Sequence, residues 1–313
     1  SGGDVSGMNP ALKHFVEYSF SKGLTPYFVY DGYEGLIDNN IQKVSYEDVS
    51  GIITHGGTKI GTSRSQRFLE KEFRLTAKQN LDKHNIAMLI VLGGDGSFRG
   101  IDLFYKEHSI PFCGIPSTID NDINGTDYCL GVDTALNIIK TSIDAIRDTA
   151  SSFKRAFVIE TMGRDCGYLA LVSHLTSGSE LCLIPERKYD LESYEENFKK
   201  QIKDGRRYFI AIVSEGIKED SQNIANWFKE TIGIESRVSV LGHIQRGGNP
   251  SIYDRLMAYK FVSYAIEGLL SGKDESVICY TKSGFEFKSI DDVVSKKKEL
   301  DPDLLSCLMK PDV

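Results

Sequence analysis

Two short segments, each placed directly after an apolar run, carry the residue types that phosphoryl chemistry needs. The first is Gly93-Gly94-Asp95-Gly96-Ser97 and the second is Thr118-Ile119-Asp120-Asn121-Asp122. Glycines let backbone amides approach phosphate oxygens, and a helix N-terminus adds free N–H groups and a positive dipole end. Asp95 is a carboxylate suited to Mg²⁺ bridging phosphates, Gly96 leaves space beside it, and Ser97 can donate to phosphate or cap the helix. In the second segment, Thr118, Asp120 and Asp122 fall on one side if the chain is extended. One carboxylate can then take the proton of an attacking hydroxyl while the other orients it or assists the metal. The bland alternatives are a simple helix cap and an Asx-rich loop. Together, the pair points to phosphoryl transfer from a nucleotide to a small hydroxyl acceptor.

Further candidates lie elsewhere. The loop Gly2-Gly3-Asp4-Val5-Ser6-Gly7-Met8-Asn9 leads into an amphipathic segment and is read either as a phosphate loop or as a plain tight turn. Arg64, Arg155, Arg164, Arg237 and Arg246 occupy loop positions, where guanidinium forks suit phosphates. In Leu241-Gly242-His243-Ile244-Gln245-Arg246-Gly247-Gly248, a His and an Arg three apart are bracketed by glycines, as in a sugar-phosphate pocket. His14, His55, His84, His108 and His174 lack such a context and read as structural. The six cysteines (Cys113, Cys129, Cys166, Cys182, Cys279 and Cys307) form no CxxC pair and no metal-ligand spacing. They read as reduced structural thiols of a cytoplasmic protein.

These segments need elements to hold them. Continuous apolar runs at 27–30, 87–92, 111–115, 156–159, 181–184, 209–213, 238–241 and 277–280 predict parallel strands covered on both faces. Helix-length amphipathic stretches at 9–21, 66–84, 132–147, 192–203, 222–231 and 254–270 alternate with them. This pattern predicts an α/β fold of two doubly wound, mostly parallel-sheet domains, with the active site in the cleft between them. The expected domains are residues 1–131 plus 243–293 and residues 132–242 plus 294–313. Gly2-Gly3-Asp4 has the character of a loop that follows a strand, so a first strand is expected ahead of Ser1. The 313 residues carry a net charge of −7, with no basic stripe for nucleic acid and no apolar run long enough for a bilayer.

The chain resembles the 6-phosphofructokinase family, ATP-dependent branch. The resemblance rests, in order, on GGDVSGMN at 2–9, YDGYEGL at 30–36, GGTKIGTSR at 56–64, GGDGS at 93–97 and STIDNDINGTD at 117–127. It continues through ETMGRDCGYLA at 160–170, SEG at 214–216 and LGHIQRGGNPSIYDR at 241–255. The resemblance implies Mg²⁺- and ATP-dependent phosphorylation of the 1-hydroxyl of fructose 6-phosphate. It implies Asp120 as general base, Asp95 as the metal carboxylate, and Thr118 and Asp122 in support. It further implies that Arg64 and Arg164 stabilise the transferring group, and that Gly3, Tyr33, Arg64, Gly96, Ser97 and Gly100 line ATP in the first domain. Met162, Gly163, Glu215, His243 and Arg246 would hold the sugar phosphate. Arg155 and Arg237 would complete a neighbouring subunit's site in a homotetramer.

The same resemblance implies a donor choice. Pyrophosphate-using relatives carry Asp where this chain has Gly96 and Lys where it has Ser117, so ATP is expected. Lys13, Arg147, Glu180 and Arg206 match an effector pocket, but Glu17, Tyr46 and Asp204 stand where that pocket has cations, so a weakened response to anionic effectors is expected. Two alternatives stay open: a non-catalytic paralogue that binds sugar phosphate, and a pyrophosphate-dependent enzyme. NAD kinases and lipid kinases share the GGDG loop but lack the TIDND and LGHIQRGG segments.

Overall fold

The structure, a computed structural model, describes residues 2–308. Apolar runs flanked by Gly, Pro and Asn become short strands, and the amphipathic stretches between them become helices. In chain order these are α1 (Met8–Ser21), β1 (Tyr27–Val29), α2 (Gly32–Ile37), β2 (Ile41–Lys43), α3 (Lys71–Lys83), β3 (Leu89–Gly93), α4 (Asp95–His108), β4 (Phe112–Pro116) and α5 (Val132–Phe153). There follow β5 (Ala156–Thr161), α6 (Tyr168–Ser177), β6 (Leu181–Leu183), α7 (Glu195–Lys203), β7 (Phe209–Ser214), α8 (Ser221–Trp227) and β8 (Ser236–Val240). The described chain closes with α9 (Ile252–Leu270), β9 (Glu275–Thr281), β10 (Gly284–Ser289), α10 (Ile290–Val294) and α11 (Pro302–Ser306).

Contacts divide the chain into two units. Residues 1–134 and 246–298 form the first, and residues 135–245 and 299–313 the second. In unit one the main sheet runs β10-β9-β4-β3, parallel except for the β9–β10 hairpin, and β1 pairs with β2 in a separate antiparallel ribbon. Unit two holds a fully parallel sheet in the order β6-β7-β5-β8. Its core gathers Val158, Leu183, Phe198, Phe209, Ala211 and Phe228 from strands and helices alike.

Three of the expected strands depart from the pattern of parallel strands covered on both faces. β1 pairs antiparallel with β2 and is only half-buried at Tyr27 and Val29. β8 pairs only with β5 and leaves Val240 exposed, as an edge strand does. Residues 89–92 of β3 are only half-buried; β3 pairs with β4 alone, and its residues help line an apolar cavity of about 530 Å³. That cavity is lined by Leu12, Phe15, Tyr27, Val29, Ile90 and Leu92. The run at 277–280 became β9 as expected, whereas β2, α2 and β10 had no strong period in the sequence, being too short or half-exposed to show one.

The six cysteines are free thiols; five are buried and Cys307 is exposed. Burial pushes Cys113 and Cys279 up to about 12, which keeps them protonated and unreactive. His14 is likewise structural. It lies buried in α1, stacked on Tyr259 of α9 at 3.6 Å between ring centroids, with Nε2 2.8 Å from the Ser263 hydroxyl.

Burial lowers the His14 pKa from 6.5 to about 4, with Glu17 opposing and Lys13 reinforcing the shift. Between these values the unfolded chain binds the proton and the folded chain does not, so this contribution to stability is complete above pH 6.5 and is lost as pH falls toward 4. The expected slope is at most about 1.4 kcal/mol per pH unit. Urea midpoints measured at pH 7 and pH 5 should differ less in a His14→Phe variant than in the parent chain; equal differences would remove His14 from this role.

Candidate active site

Parallel pairing of β3 with β4 assembles the site of unit one. Gly93 stands in register with Pro116, and the Ser117 amide donates to the Gly93 carbonyl at 2.9 Å. Both segments of interest therefore leave the carboxyl edge of the sheet side by side, where open α/β folds bind ligands. The approach is close: a Cβ built on Gly94 would lie 3.5 Å from Cβ of Thr118.

The first segment opens α4. Gly94 is its N-cap and no side chain caps it, so neither Asp95 nor Ser97 is spent as a capping group. Asp95 lies in the first turn with a half-exposed carboxylate that pairs with Arg99 at 2.8 Å. A Cβ on Gly96 would meet nothing within 4 Å, which leaves the mouth of the helix open. Gly100, one turn on, is pressed against Tyr33: its Cβ would come within 2.7 Å of that ring. Tyr33 stacks on Phe68 at 3.9 Å and donates its hydroxyl to the Ser97 carbonyl.

The second segment is not extended. Asn121 has φ +53°, a left-handed conformation, and the Asp120 amide donates to the Thr118 hydroxyl at 3.2 Å. The segment therefore turns between its two carboxylates, and the simple alternation expected of a strand does not apply. Asp120 is buried, while Thr118 and Asp122 are half-buried.

The Gly2–Gly7 loop joins this region through its own anchors. Ser6 donates to the Gly248 carbonyl at 2.7 Å, and Asn9 donates to the carbonyls of His55 and Gly56 and accepts from the Lys59 amide. A Cβ on Gly3 would lie 3.2 Å from Nη1 of Arg246, and one on Gly2 would lie 3.8 Å from Cγ of Arg64. Two glycines, two arginines and the start of α1 thus converge. The Nε of Arg246 is buried with no hydrogen-bond partner.

Unit two builds a second set at the carboxyl ends of β5, β7 and β8. Thr161 pairs in register with Ser214, which sets the loop at Met162-Gly163-Arg164 beside Glu215-Gly216. One oxygen of Glu215 accepts from the amides of Gly163 (3.1 Å) and Arg164 (2.8 Å), bracing a loop in which both residues have positive φ. Gln245, which is not among the candidate residues that the sequence offers, is buried and ties Met162 to the next turn. It accepts from the Met162 amide at 3.2 Å and donates to the Gly242 carbonyl at 3.0 Å. Its signal was only its place among the glycines of 241–248. His243 is exposed on the same turn.

Arg155 lies over the Phe153 ring at 4.7 Å, and Arg237 is exposed on the edge strand β8. The remaining cations are answered locally. Lys13 pairs with Glu17, Arg206 pairs with Glu180, and Arg147 donates to the Ser177 carbonyl at 2.6 Å.

A profile of the phosphofructokinase family matches residues 1–269. This chain belongs to the phosphofructokinase family. Among family members, the ATP-dependent 6-phosphofructokinase of Sulfurimonas denitrificans is 71% identical over 310 residues, covering 99% of this chain and 97% of that one. The enzyme of the same name from Thermotoga neapolitana is 42% identical, covering 97% and 95%. The phosphofructokinase structure from Saccharomyces cerevisiae superposes with a TM-score of 0.90 at 33% identity, over 94% of this chain and 44% of that longer one. A pyrophosphate-dependent phosphofructokinase from Marinobacter aquaeolei shares the fold, with a TM-score of 0.83 at 21% identity over 96% of this chain and 84% of that one.

The phosphofructokinase loops are tight enough to test one glycine directly. A Cβ on Gly216 would fall 1.9 Å from the Arg164 carbonyl oxygen. Gly216→Ala should therefore displace the 163–164 loop and cost about 1–3 kcal/mol, read as a lowered urea midpoint. A midpoint unchanged from the parent would show that the loop yields without cost.

Proposed function

We propose that this chain transfers the γ-phosphoryl group of ATP to the 1-hydroxyl of fructose 6-phosphate, giving fructose 1,6-bisphosphate and ADP. The observation that carries the reading is the register of β3 and β4, which sets an open glycine-rich helix mouth against a turn bearing two carboxylates. Asp120 is assigned as the general base. It takes the proton of the 1-hydroxyl as that oxygen attacks the γ-phosphorus, and the bond to the ADP oxygen breaks. Thr118 and Asp122 orient the acceptor. Arg64 and Arg164 offset charge on the transferring group, whose oxygens carry most of the negative charge in the transition state.

We assign the nucleotide to Gly3, Tyr33, Arg64, Gly96, Ser97 and Gly100 in the first unit. Met162, Gly163, Arg164, Glu215 and His243 of the second unit, with Arg155, Arg237 and Arg246, are assigned to the sugar phosphate. The bracing role of Glu215 fits this assignment: its carboxylate orders the amides of the loop while remaining exposed. Arg246, with a buried guanidinium N–H left unbonded, is suited to an anionic ligand.

Mg²⁺ is assigned to Asp95. Among the described residues no three acidic, His or Cys side chains cluster as a protein-only cage. One carboxylate at a phosphate loop suits Mg²⁺, which is held by few protein ligands together with phosphates and water. When bound it would neutralise charge on the phosphate oxygens.

ATP is favoured over pyrophosphate because the space at Gly96 leaves room for the rest of a nucleotide, and an Asp there would repel its α-phosphate. Ser117 is buried and donates to the Ile115 carbonyl at 3.0 Å, a position that suits a small neutral side chain. We place the working enzyme in the cytoplasm as a homotetramer. Arg155 and Arg237 are its inter-subunit arginines; Arg155 lies over the exposed Phe153 ring, and Arg237 is exposed on β8. No helix among the described residues is long and apolar enough to cross a membrane.

Product formation with Mg²⁺ and ATP, compared with Mg²⁺ and pyrophosphate, tests the reaction and the donor together. Turnover is expected with ATP alone. Asp120→Ser should lower kcat by about 10²–10⁴-fold with little change in KM, and parental kcat would remove Asp120 as the base. Since Lys13 and Arg206 already face Glu17 and Glu180, ADP or phosphoenolpyruvate should shift half-saturation by less than about fivefold, the lower end of usual coupling. A larger shift in a titration would overturn that reading.

A further inference from the structure

Asn121 sits between the two carboxylates of the proposed acceptor site, and its side chain is fully buried. Its backbone is left-handed at φ +53°, a conformation that Asn tolerates better than other residues with a Cβ. The amide group reaches across the following turn. Nδ2 donates to the Asp127 carbonyl at 3.0 Å, and Oδ1 accepts from the Cys129 amide at 3.0 Å. The orientation of the amide is set by these partners, because a backbone N–H needs the oxygen and a carbonyl needs the NH₂.

The far end of the same turn is held independently. The Thr126 hydroxyl donates to the Tyr128 carbonyl at 2.9 Å and accepts from the Tyr280 amide at 2.9 Å. Residue 121 lies between Asp120 and Asp122, and its left-handed φ, held by the two side-chain bonds, turns the chain between them. A change of φ or ψ there swings one carboxylate relative to the other, whereas a change at Thr126 loosens the turn without passing through either.

We infer that Asn121 is a positioning residue for the transfer: its left-handed backbone and its two buried hydrogen bonds fix the angle between Asp120 and Asp122. This rests on the phosphoryl-transfer reading above. Residues held this way act on the rate of the chemical step more than on substrate affinity, since misplacement by about 1 Å costs on the order of 100-fold.

Asn121→Gly keeps the left-handed backbone accessible and removes both side-chain bonds. Thr126→Val removes a comparable pair of bonds from the same turn and serves as the structural control. Tm, kcat and both KM values would be measured for each, with kcat expressed per folded chain. For N121G the expected result is a fall in kcat of about 10- to 100-fold, with both KM values within about twofold of the parent. T126V should lower Tm while keeping kcat within about threefold. If N121G does not fold, N121D takes its place, since it retains the left-handed preference and the bond to Cys129, and the same split is expected. Parental kcat in the Asn121 variant, or an equal loss in T126V, overturns the inference. A parent chain with no turnover would sink the phosphoryl-transfer reading itself, and this inference with it.

Discussion

The carboxylate of Asp254, near the start of α9, accepts hydrogen bonds from the Tyr128 hydroxyl, the Gly131 amide and both the amide and hydroxyl of Thr134. It is fully buried, and burial raises its pKa against the pull of those four donors. A buried carboxylate is tolerated only with such partners. In return it clamps the segment that runs from the acidic turn into α5. Gly7 packs against it as well, since a Cβ there would stand 3.7 Å from Asp254. The start of α1, the exit of the acidic turn and the entry to α5 therefore share one anchor, and the site loops of unit one hang from it.

Rigid parallel strands and irregular loops divide the work. In each unit, in-register pairing at the carboxyl edge brings two loops together: Gly93 with Pro116 in one, Thr161 with Ser214 in the other. The loops are then locked by side chains that do no chemistry, such as Asn9, Asn121 and Gln245. Phosphoryl transfer makes little demand on covalent chemistry and a great demand on placement. An arrangement in which buried amides fix loop geometry suits that demand.

Much of this was legible from residue order. The Gly-Gly-Asp-Gly-Ser run after an apolar stretch specified a strand, a tight turn and a helix mouth, because glycine at those positions has few other uses. The strands of the unit-two core were legible because they are buried on both faces and so read as unbroken apolar runs. The short ribbon strand β2 and the hairpin strand β10 were not, since they are broken by polar residues (Gln42 and Lys43 in one, Glu286 and Lys288 in the other) and form no unbroken apolar run. The turn at Asn121 was hidden for a related reason. A left-handed Asn and an extended Asn have the same one-dimensional signature, and the partners that select one, Asp127 and Cys129, lie several residues away.

Local chemistry was therefore fixed by the sequence alone: which residues carry charge, which loops must be glycine, which runs must be strands, and which family they match. Tertiary structure decided the rest. It spent Glu215 on bracing two amides, answered Lys13 and Arg206 with carboxylates, pressed Gly3 against Arg246 and turned the chain between Asp120 and Asp122. The physical reason is that a side chain's type follows from its own position, while its orientation and hydrogen-bond partners follow from groups that only folding brings within about 3 Å.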